Sequence, residues 1–192
     1  MIEAPPAPTA ADGRPQRPRI IFLVIGLVAA TALGVGLFTS LGTGPHGPPG
    51  VGSGAPTFSL PSLEGHGAVG TPADGGGGGR PAVLVFFASW CAPCRTEIPA
   101  IANAYRDQAG GHRVTVIGID GMDPTGDARA FVRKSGVTFP VAADADYRVT
   151  EGLYYFDGDP DTVFINGNGT IARIVRGPVT ASELVSWERE LT

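Results

Sequence analysis

Two cysteines separated by two residues, between an apolar run and a stretch of helical composition, constrain this chain more than any other feature. They are Cys91 and Cys94, and the 192-residue chain contains no others. Residues 82–88 are apolar, β-branched and aromatic, which predicts a buried strand. Residues 95–108 predict a helix. A cysteine at such a junction lies where helix N-terminal amides and the macrodipole stabilise an anion, so a thiolate is favoured there.

The amino-terminal part predicts a tail and a membrane anchor. Residues 1–19 contain five prolines and three arginines, a composition that favours a disordered cytoplasmic tail. Residues 20–38 carry no charge and are long enough to span a bilayer, which takes about 20 residues. Because the arginines precede this run, we expect the rest of the chain to lie outside the cytoplasm. The alternative is a signal peptide cleaved after Ala30-Thr31-Ala32, which would also export the carboxy-terminal part.

A linker and one domain follow the apolar segment. Residues 39–54 are mostly glycine, proline and serine, which predicts a tether. We therefore expect the folded domain to cover residues 55–192. Within it, residues 67–80 include five consecutive glycines and predict a flexible surface loop.

The pattern of elements in the domain predicts an α/β fold. Short strands are expected at 55–60, before a turn at 63–65, and at 114–120, 139–142, 162–166 and 170–175, the last two joined as a hairpin. Helices are expected at 126–135, briefly within 144–153, and after a capping box at Thr180 and Glu183. Strands alternating with helices predict a mixed sheet with helices on both faces, the thioredoxin arrangement.

The cysteine spacing bears on whether the pair is structural or reactive. Outside the cytoplasm a disulfide persists, so a buried structural bridge is the simpler interpretation. A bridge across two residues closes a very small loop, however, and stabilises less than the roughly 3 kcal/mol of a 15-residue loop. The spacing therefore favours a redox-active pair.

Several motifs in order resemble the membrane-anchored, extracytoplasmic thioredoxin-like oxidoreductases of bacteria called TlpA, ResA or CcmG-like. The resemblance covers about residues 55–192. It rests on four segments, which are Ala55-Pro56-Thr57-Phe58-Ser59-Leu60, residues 86–95 continuing to Glu97 and Pro99, Thr138-Phe139-Pro140-Val141 before Asp144, and Pro160-Asp161-Thr162-Val163-Phe164-Ile165. A lone pair of cysteines is moderately specific, whereas the four segments together are strongly specific.

The resemblance implies roles for the residues around the cysteines. Cys91 would be the nucleophile that forms a mixed disulfide with substrate, and Cys94 would resolve it. Pro93 would hold the two sulfurs in register from the first helical turn. Trp90 would shield the dithiol and offer a partner an apolar face, with a core aromatic as the alternative.

Three further residues have competing interpretations. Glu97 matches an acidic residue that the family places near its active site, where a partly buried carboxylate would move protons, and a solvated helix carboxylate is the alternative. Arg95 either stabilises a thiolate or is an exposed helix arginine. Pro160 matches the family's cis-proline opposite the cysteines, with Pro140 as the competitor.

The chain departs from the family before Pro160. Residues 155–159 lengthen this segment, and Asp159 puts an acidic residue directly before the proline. A carboxylate near the sulfurs would disfavour a thiolate and alter the redox potential. The departure bears on substrate choice more than on the chemistry.

Composition argues against several other classes of function. The net charge of −4 and the absence of a basic patch argue against nucleic acid. His46, His66 and His112 are scattered, and with the cysteines they form no metal constellation. No histidine follows Cys94, so the pattern for covalent haem attachment is absent, and we expect neither a metal nor another cofactor.

The leading hypothesis is a membrane-tethered protein-disulfide reductase with its domain outside the cytoplasm. By resemblance, its substrate is a disulfide-containing protein such as apocytochrome c before haem attachment, and its electron donor is a membrane thiol carrier. A thiol peroxidase on the same fold is a second hypothesis. A non-enzymatic binding domain with an inert disulfide is the third.

Overall fold

A five-stranded sheet forms the centre of the domain. The computed structural model describes residues 47–71, 79–108 and 113–191. The described strands are β1 Ser59–Pro61, β2 Ala68–Gly70, β3 Ala82–Phe87, β4 Thr115–Gly121, β5 Val141–Asp144, β6 Asp161–Ile165 and β7 Ile171–Arg176. The sheet has the order β5-β4-β3-β6-β7, and a separate hairpin pairs β1 with β2.

Strand β3 is the central strand and leads into the cysteines. All six of its residues are buried, as the continuous apolar run predicts. It pairs in parallel with β4, Ala82 opposite Thr115, and antiparallel with β6, Ala82 opposite Ile165. The predicted mixed sheet is confirmed, and so is the predicted hairpin of β6 and β7.

Three helices follow the strands. They are α1 Cys94–Arg106, α2 Thr125–Lys134 and α3 Ala181–Glu188. Gly136, in the left-handed region with φ 67°, follows the end of α2, as predicted for a helix C-terminus. Thr180 and Glu183 form the predicted capping box of α3.

The three described helices cover the same face of the sheet. Each contributes buried side chains to one hydrophobic cluster, which includes Ile98 and Ile101 from α1, Ala128 and Val132 from α2, and Leu184 from α3. The β3-α1-β4 and β4-α2-β5 crossovers advance in one direction across the sheet, and right-handed crossovers of that kind place both helices on one side. The prediction of helices on both faces is therefore wrong for the described residues.

Turns and the β1–β2 hairpin cover the second face. Tyr154 and Phe156 pack edge-on against Phe86, with ring centroids 5.1 and 5.0 Å apart. The brief helix predicted within 144–153 is instead a series of turns, bounded by left-handed backbone at Tyr147 and Tyr155. The loop predicted at 67–80 contains strand β2, so that prediction is wrong for residues 68–70.

The predicted linker overlaps the domain at its carboxyl end. The Gly52 amide donates to the Ile171 carbonyl, and the Ile171 amide donates to the Ser53 carbonyl, each over 2.8 Å. Residues 52–54 therefore extend the sheet beside β7. The predicted tail at 1–19 and anchor at 20–38 lie outside the described residues. Within the described ranges, no helix has the length and apolar character needed to cross a bilayer.

Replacing Phe86 with alanine should destabilise the domain strongly. The ring is fully buried and contacts two other aromatic rings, so its removal leaves a cavity. We expect the free energy of unfolding to fall by about 3–5 kcal/mol in urea denaturation. The control is Val51→Ala at a side chain that is 69% exposed, where the change should stay within about 0.5 kcal/mol. Equal effects of the two substitutions would contradict this packing.

Candidate active site

Cys91 and Cys94 form a disulfide at the start of α1. The bond is 2.04 Å long and joins Cα atoms 5.3 Å apart. The Cys94 amide points at the Cys91 sulfur over 3.2 Å. Cys91 keeps 4% of its surface exposed, whereas Cys94 has none. Cys91 is therefore the more exposed of the two cysteines, and it lies just before a helix N-terminus, where backbone amides stabilise an anion.

Pro93 directly precedes the helix. Its φ of −62° is helical, and its carbonyl accepts from the amides of Thr96 and Glu97. A proline at this position loses no hydrogen bond, because the first amides of a helix have no intrahelical partner. Its ring therefore restricts the backbone between Cys91 and Cys94.

The loop before β6 lies against the Cys91 sulfur. The Asp159–Pro160 peptide bond is cis, as predicted, and it is the only cis bond among the described residues. Pro140, the competing candidate, is thereby set aside. The Asp159 carbonyl oxygen lies 3.5 Å from Cys91 Sγ. A reduced Cys91 thiol could donate to that oxygen.

Trp90 and Arg95 both lie at the surface. Trp90 is 52% exposed, so the alternative of a core aromatic is wrong. Arg95 Nε donates to the Ser89 carbonyl over 3.1 Å and so holds the loop that carries Trp90. The Asp123 carboxylate accepts from the Ser89 amide over 2.5 Å and from its hydroxyl over 2.8 Å. The segment before the cysteines is thus tied both to α1 and to the loop after β4.

Glu97 is a buried acid. It lies one turn along α1 from Cys94, with 4% of its surface exposed, so the alternative of a solvated carboxylate is wrong. Oε1 accepts from the Val179 amide over 2.8 Å, while Oε2 has no partner among the described residues. Burial raises the pKa of Glu97 to about 7, and the charge of Asp161 adds to the rise while the Val179 amide opposes it. The group can therefore exchange a proton near neutral pH.

Comparison with known proteins decides the family. The model of the AhpC/TSA family matches residues 51–174. The chain belongs to the AhpC/TSA family.

Two relatives of this chain are named as thiol-disulfide oxidoreductases. The chain is 29% identical over 169 residues to the thiol-disulfide oxidoreductase ResA of Bacillus subtilis, covering 87% of this chain and 90% of that protein. It is 32% identical over 114 residues to ResA of Oceanobacillus iheyensis, covering 59% of this chain and 58% of that protein. The predicted resemblance and the predicted enzyme class, a thiol-disulfide oxidoreductase, are confirmed.

A solved structure supports the fold of this AhpC/TSA-family domain. It is a secreted disulfide oxidoreductase of Mycobacterium tuberculosis, described as homologous to DsbE of E. coli. The TM-score is 0.60 at 28% identity, with 70% of this chain and 96% of that chain covered. The predicted thioredoxin-like α/β fold is confirmed.

Sequence reasoning missed two carboxyl groups in this AhpC/TSA-family site. Asp120 is the second-last residue of β4, with 3% of its surface exposed, and Asp161 begins β6 with 4% exposed. Burial is the main cause that raises their pKa values, to about 8 for Asp120 and about 6 for Asp161. The sequence did contain a signal for Asp120. This acid lies near the carboxyl end of a predicted strand, and the cysteines follow the carboxyl end of another. Nothing comparable marked Asp161, whose burial depends on the packing around it.

The described residues contain no metal-binding cluster. Among 47–71, 79–108 and 113–191, no group of three or more His, Cys, Asp or Glu side chains could hold an ion.

Replacing Glu97 with glutamine should change how stability depends on pH. The folded-state pKa of about 7 exceeds the ordinary value of 4.5, so the stability linked to this group is present below pH 4.5 and lost as pH rises through 7. Glutamine keeps an acceptor for Val179 and does not ionise. In the oxidised protein, we expect the free energy of unfolding of Glu97→Gln to rise relative to that of wild type when the pH is raised from 5 to 8. The rise should be about 3 kcal/mol at most.

Urea denaturation at both pH values measures this gain. Glu64→Gln, at an exposed carboxyl group, is the matched control and should leave the difference between the two pH values unchanged. Parallel pH profiles for wild type and Glu97→Gln would show that the carboxyl group does not titrate as described.

Proposed function

We propose that this chain is a membrane-tethered reductase of protein disulfides whose domain works outside the cytoplasm. The observation that carries the proposal is the Cys91–Cys94 bridge at a helix N-terminus. Cys91 Sγ in this bridge lies 3.5 Å from the Asp159 carbonyl oxygen. The uncharged run at 20–38 supports the tether, and the M. tuberculosis neighbour is described as secreted. A helix N-terminus stabilises the thiolate that attacks a disulfide.

The proposed reaction is two thiol–disulfide exchanges. The Cys91 thiolate attacks one sulfur of the substrate disulfide, which forms a mixed disulfide and releases the other substrate sulfur as a thiolate. The Cys94 thiolate then attacks Cys91 Sγ, which forms the Cys91–Cys94 bridge and releases the second substrate thiolate. Two electrons pass from the protein to the substrate, and the two thiol protons end on the substrate sulfurs.

Glu97 is the proposed proton acceptor in the second exchange. It follows Cys94 by one helical turn, and its pKa of about 7 lets it accept a proton as the Cys94 thiol ionises. Cys94 itself is fully buried, so it has no direct access to water as a proton acceptor. A buried carboxyl group one turn away is the nearest such acceptor on α1.

Exposed apolar side chains flank the dithiol and support a polypeptide substrate. Trp90 is 52% exposed and Met122 is 58% exposed, and Met122 has left-handed backbone with φ 50°. The hydrogen bonds between Ser89 and Asp123 tie their two loops together. Large exposed apolar groups beside a reactive sulfur suit the contacts of a protein chain. Apocytochrome c is the candidate substrate, and a membrane thiol carrier the candidate electron donor, that the family resemblance supplies.

An inert structural disulfide is the second candidate function. The 4% exposure of Cys91 favours it, because a structural bridge is buried. The small loop between the cysteines opposes it, since such a bridge constrains the unfolded chain little. The two candidates differ in whether the reduced Cys91 reacts with a substrate disulfide under native conditions.

Serine substitutions of the two cysteines should separate their roles. We expect Cys91→Ser in the full-length chain to abolish the reduction of insulin disulfides, because the attacking sulfur is gone. Cys94→Ser should retain the attack but stall as a mixed disulfide, visible as a covalent adduct by mass spectrometry. Unchanged insulin reduction by Cys91→Ser would refute the assignment. So would a covalent adduct on Cys94 in Cys91→Ser with none on Cys91 in Cys94→Ser.

Replacing Trp90 with alanine should affect protein substrates more than small ones. Loss of the exposed ring removes docking area without touching the sulfurs, so we expect KM for insulin to rise several-fold with a smaller change in kcat. The same variant is assayed with a small-molecule disulfide, which does not need the docking area. Equal losses with both substrates would assign Trp90 to the chemistry of the dithiol.

A further inference from the structure

Asp159 brings a carboxyl group to the loop that touches the nucleophilic sulfur. Its carbonyl oxygen is 3.5 Å from Cys91 Sγ, and its side chain is held separately. Oδ2 accepts a hydrogen bond from the Tyr147 hydroxyl over 2.8 Å. Oδ1 is buried and has no partner among the described residues. The carboxyl group is therefore held by one hydrogen bond, with its other oxygen out of contact with solvent.

The structure positions Tyr147 for this contact. Its backbone is left-handed, with φ 55°, which is uncommon for a bulky residue. A Cβ on Gly121 would lie 2.4 Å from the Tyr147 ring, so only glycine leaves room for the ring at the end of β4. The Asp144 carboxylate accepts from the amide and the hydroxyl of Thr150, each over 2.8 Å, and so holds the turn that follows Tyr147.

The other charged groups around Asp159 are acidic. Asp123 follows β4, Asp144 ends β5, and the charges of both raise the pKa of Asp159 in addition to the larger effect of burial. The Tyr147 hydroxyl opposes them because it donates to the ionised carboxylate. Asp120 and Asp161 are influenced by the Asp159 charge in turn. The hydroxyl is thus the group that favours the ionised form of Asp159 in this acidic surrounding.

We propose that Asp159, oriented by the positioning residue Tyr147, places a negative charge beside Cys91 that makes the dithiol a stronger reductant. The inference rests on the proposed function and concerns the same sulfurs. A nearby carboxylate disfavours the Cys91 thiolate, and the reduced protein is the only redox form that contains a thiolate. Ionisation of Cys91 stabilises the reduced form, so suppressing it leaves the dithiol more ready to give up its electrons.

The direction in which Asp159 shifts the redox equilibrium follows from the number of protons that reduction of the bridge takes up. Reduction of the bridge takes up two electrons and, below the pKa of Cys91, two protons. Above that pKa it takes up one proton, and the reduced protein gains stability from the ionised sulfur. The Asp159 carboxylate raises the pKa of Cys91, so the switch from two-proton to one-proton uptake occurs at higher pH. Removing the carboxylate should bring this switch to lower pH.

The test compares Asp159→Asn with Asp157→Asn in the full-length chain. Both remove one carboxyl group from the same loop, but Asp157 is fully exposed and pairs with Arg176 over 3.7 Å. The rate of alkylation of reduced Cys91 by iodoacetamide is followed against pH, with the modified sulfur assigned by mass spectrometry. We expect Asp159→Asn to lower the midpoint of this pH profile of the alkylation rate by about one pH unit. Asp157→Asn should leave the midpoint unchanged. At a pH above this lowered midpoint, the equilibrium of Asp159→Asn with glutathione should lie severalfold further toward the reduced protein than that of wild type.

Two further variants keep the test decisive. Asp159→Glu restores the charge and should return the midpoint toward wild type. Tyr147→Phe removes the donor, so Asp159 should stay protonated to higher pH, and alkylation should resemble Asp159→Asn at pH 6 and wild type at pH 9. A Tyr147→Phe profile identical to wild type at every pH would remove Tyr147 from the proposal.

An unchanged or raised midpoint in Asp159→Asn, or an equal shift in Asp157→Asn, would overturn the role of Asp159. If wild type still reduces insulin in that case, only this inference fails and the proposed function stands. If wild type reduces no disulfide and Cys91 is not alkylated at any pH, the proposed function itself fails.

Discussion

The Cys91 sulfur lies between two opposing electrostatic influences, and the arrangement of the site depends on that opposition. The first turn of α1 offers backbone amides that stabilise a thiolate, including that of Cys94 at 3.2 Å. The loop before β6 instead brings the Asp159 carbonyl to 3.5 Å, and the same residue carries the carboxyl group whose charge we propose acts on the sulfur. The helix makes the sulfur reactive, while the carboxyl group limits how far it ionises. A reductant needs both, because an overstabilised thiolate would hold its electrons.

The topology of the sheet explains why acids accumulate there. Strands β3 and β4 run parallel, so the cysteines after β3 and Asp120 at the end of β4 meet at one edge. Strand β6 is antiparallel to β3, so its first residue, Asp161, lies at that same edge. Glu97 joins them from α1. Burial raises the pKa values of Glu97, Asp120 and Asp161 to between about 6 and about 8, which places proton exchange in the neutral range.

Local patterns predicted the elements and the central motif, whereas packing decided the rest. The buried strand before Cys91, the hairpin of β6 and β7 and the cis bond at Pro160 could be predicted because each depends on nearby residues or on a specific motif. The absence of the brief helix predicted within 144–153 could not be predicted, because Tyr147 has left-handed backbone there and its hydroxyl bonds to Asp159 in another loop. The buried state of Glu97 and its contact with Val179, 82 positions along the chain, likewise depend on the folded structure.

The reduction potential of the Cys91–Cys94 bridge tests the central claim most directly. The full-length chain is equilibrated with defined ratios of reduced and oxidised glutathione at pH 7, and the two redox forms are quantified by mass spectrometry after thiol trapping. The account predicts a bridge more reducing than glutathione that nevertheless reaches equilibrium with it, so that the reduced protein converts oxidised glutathione to thiol. A bridge that glutathione reduces readily would mark an oxidant, and one that no thiol buffer opens would mark a structural disulfide. Either result would contradict the account.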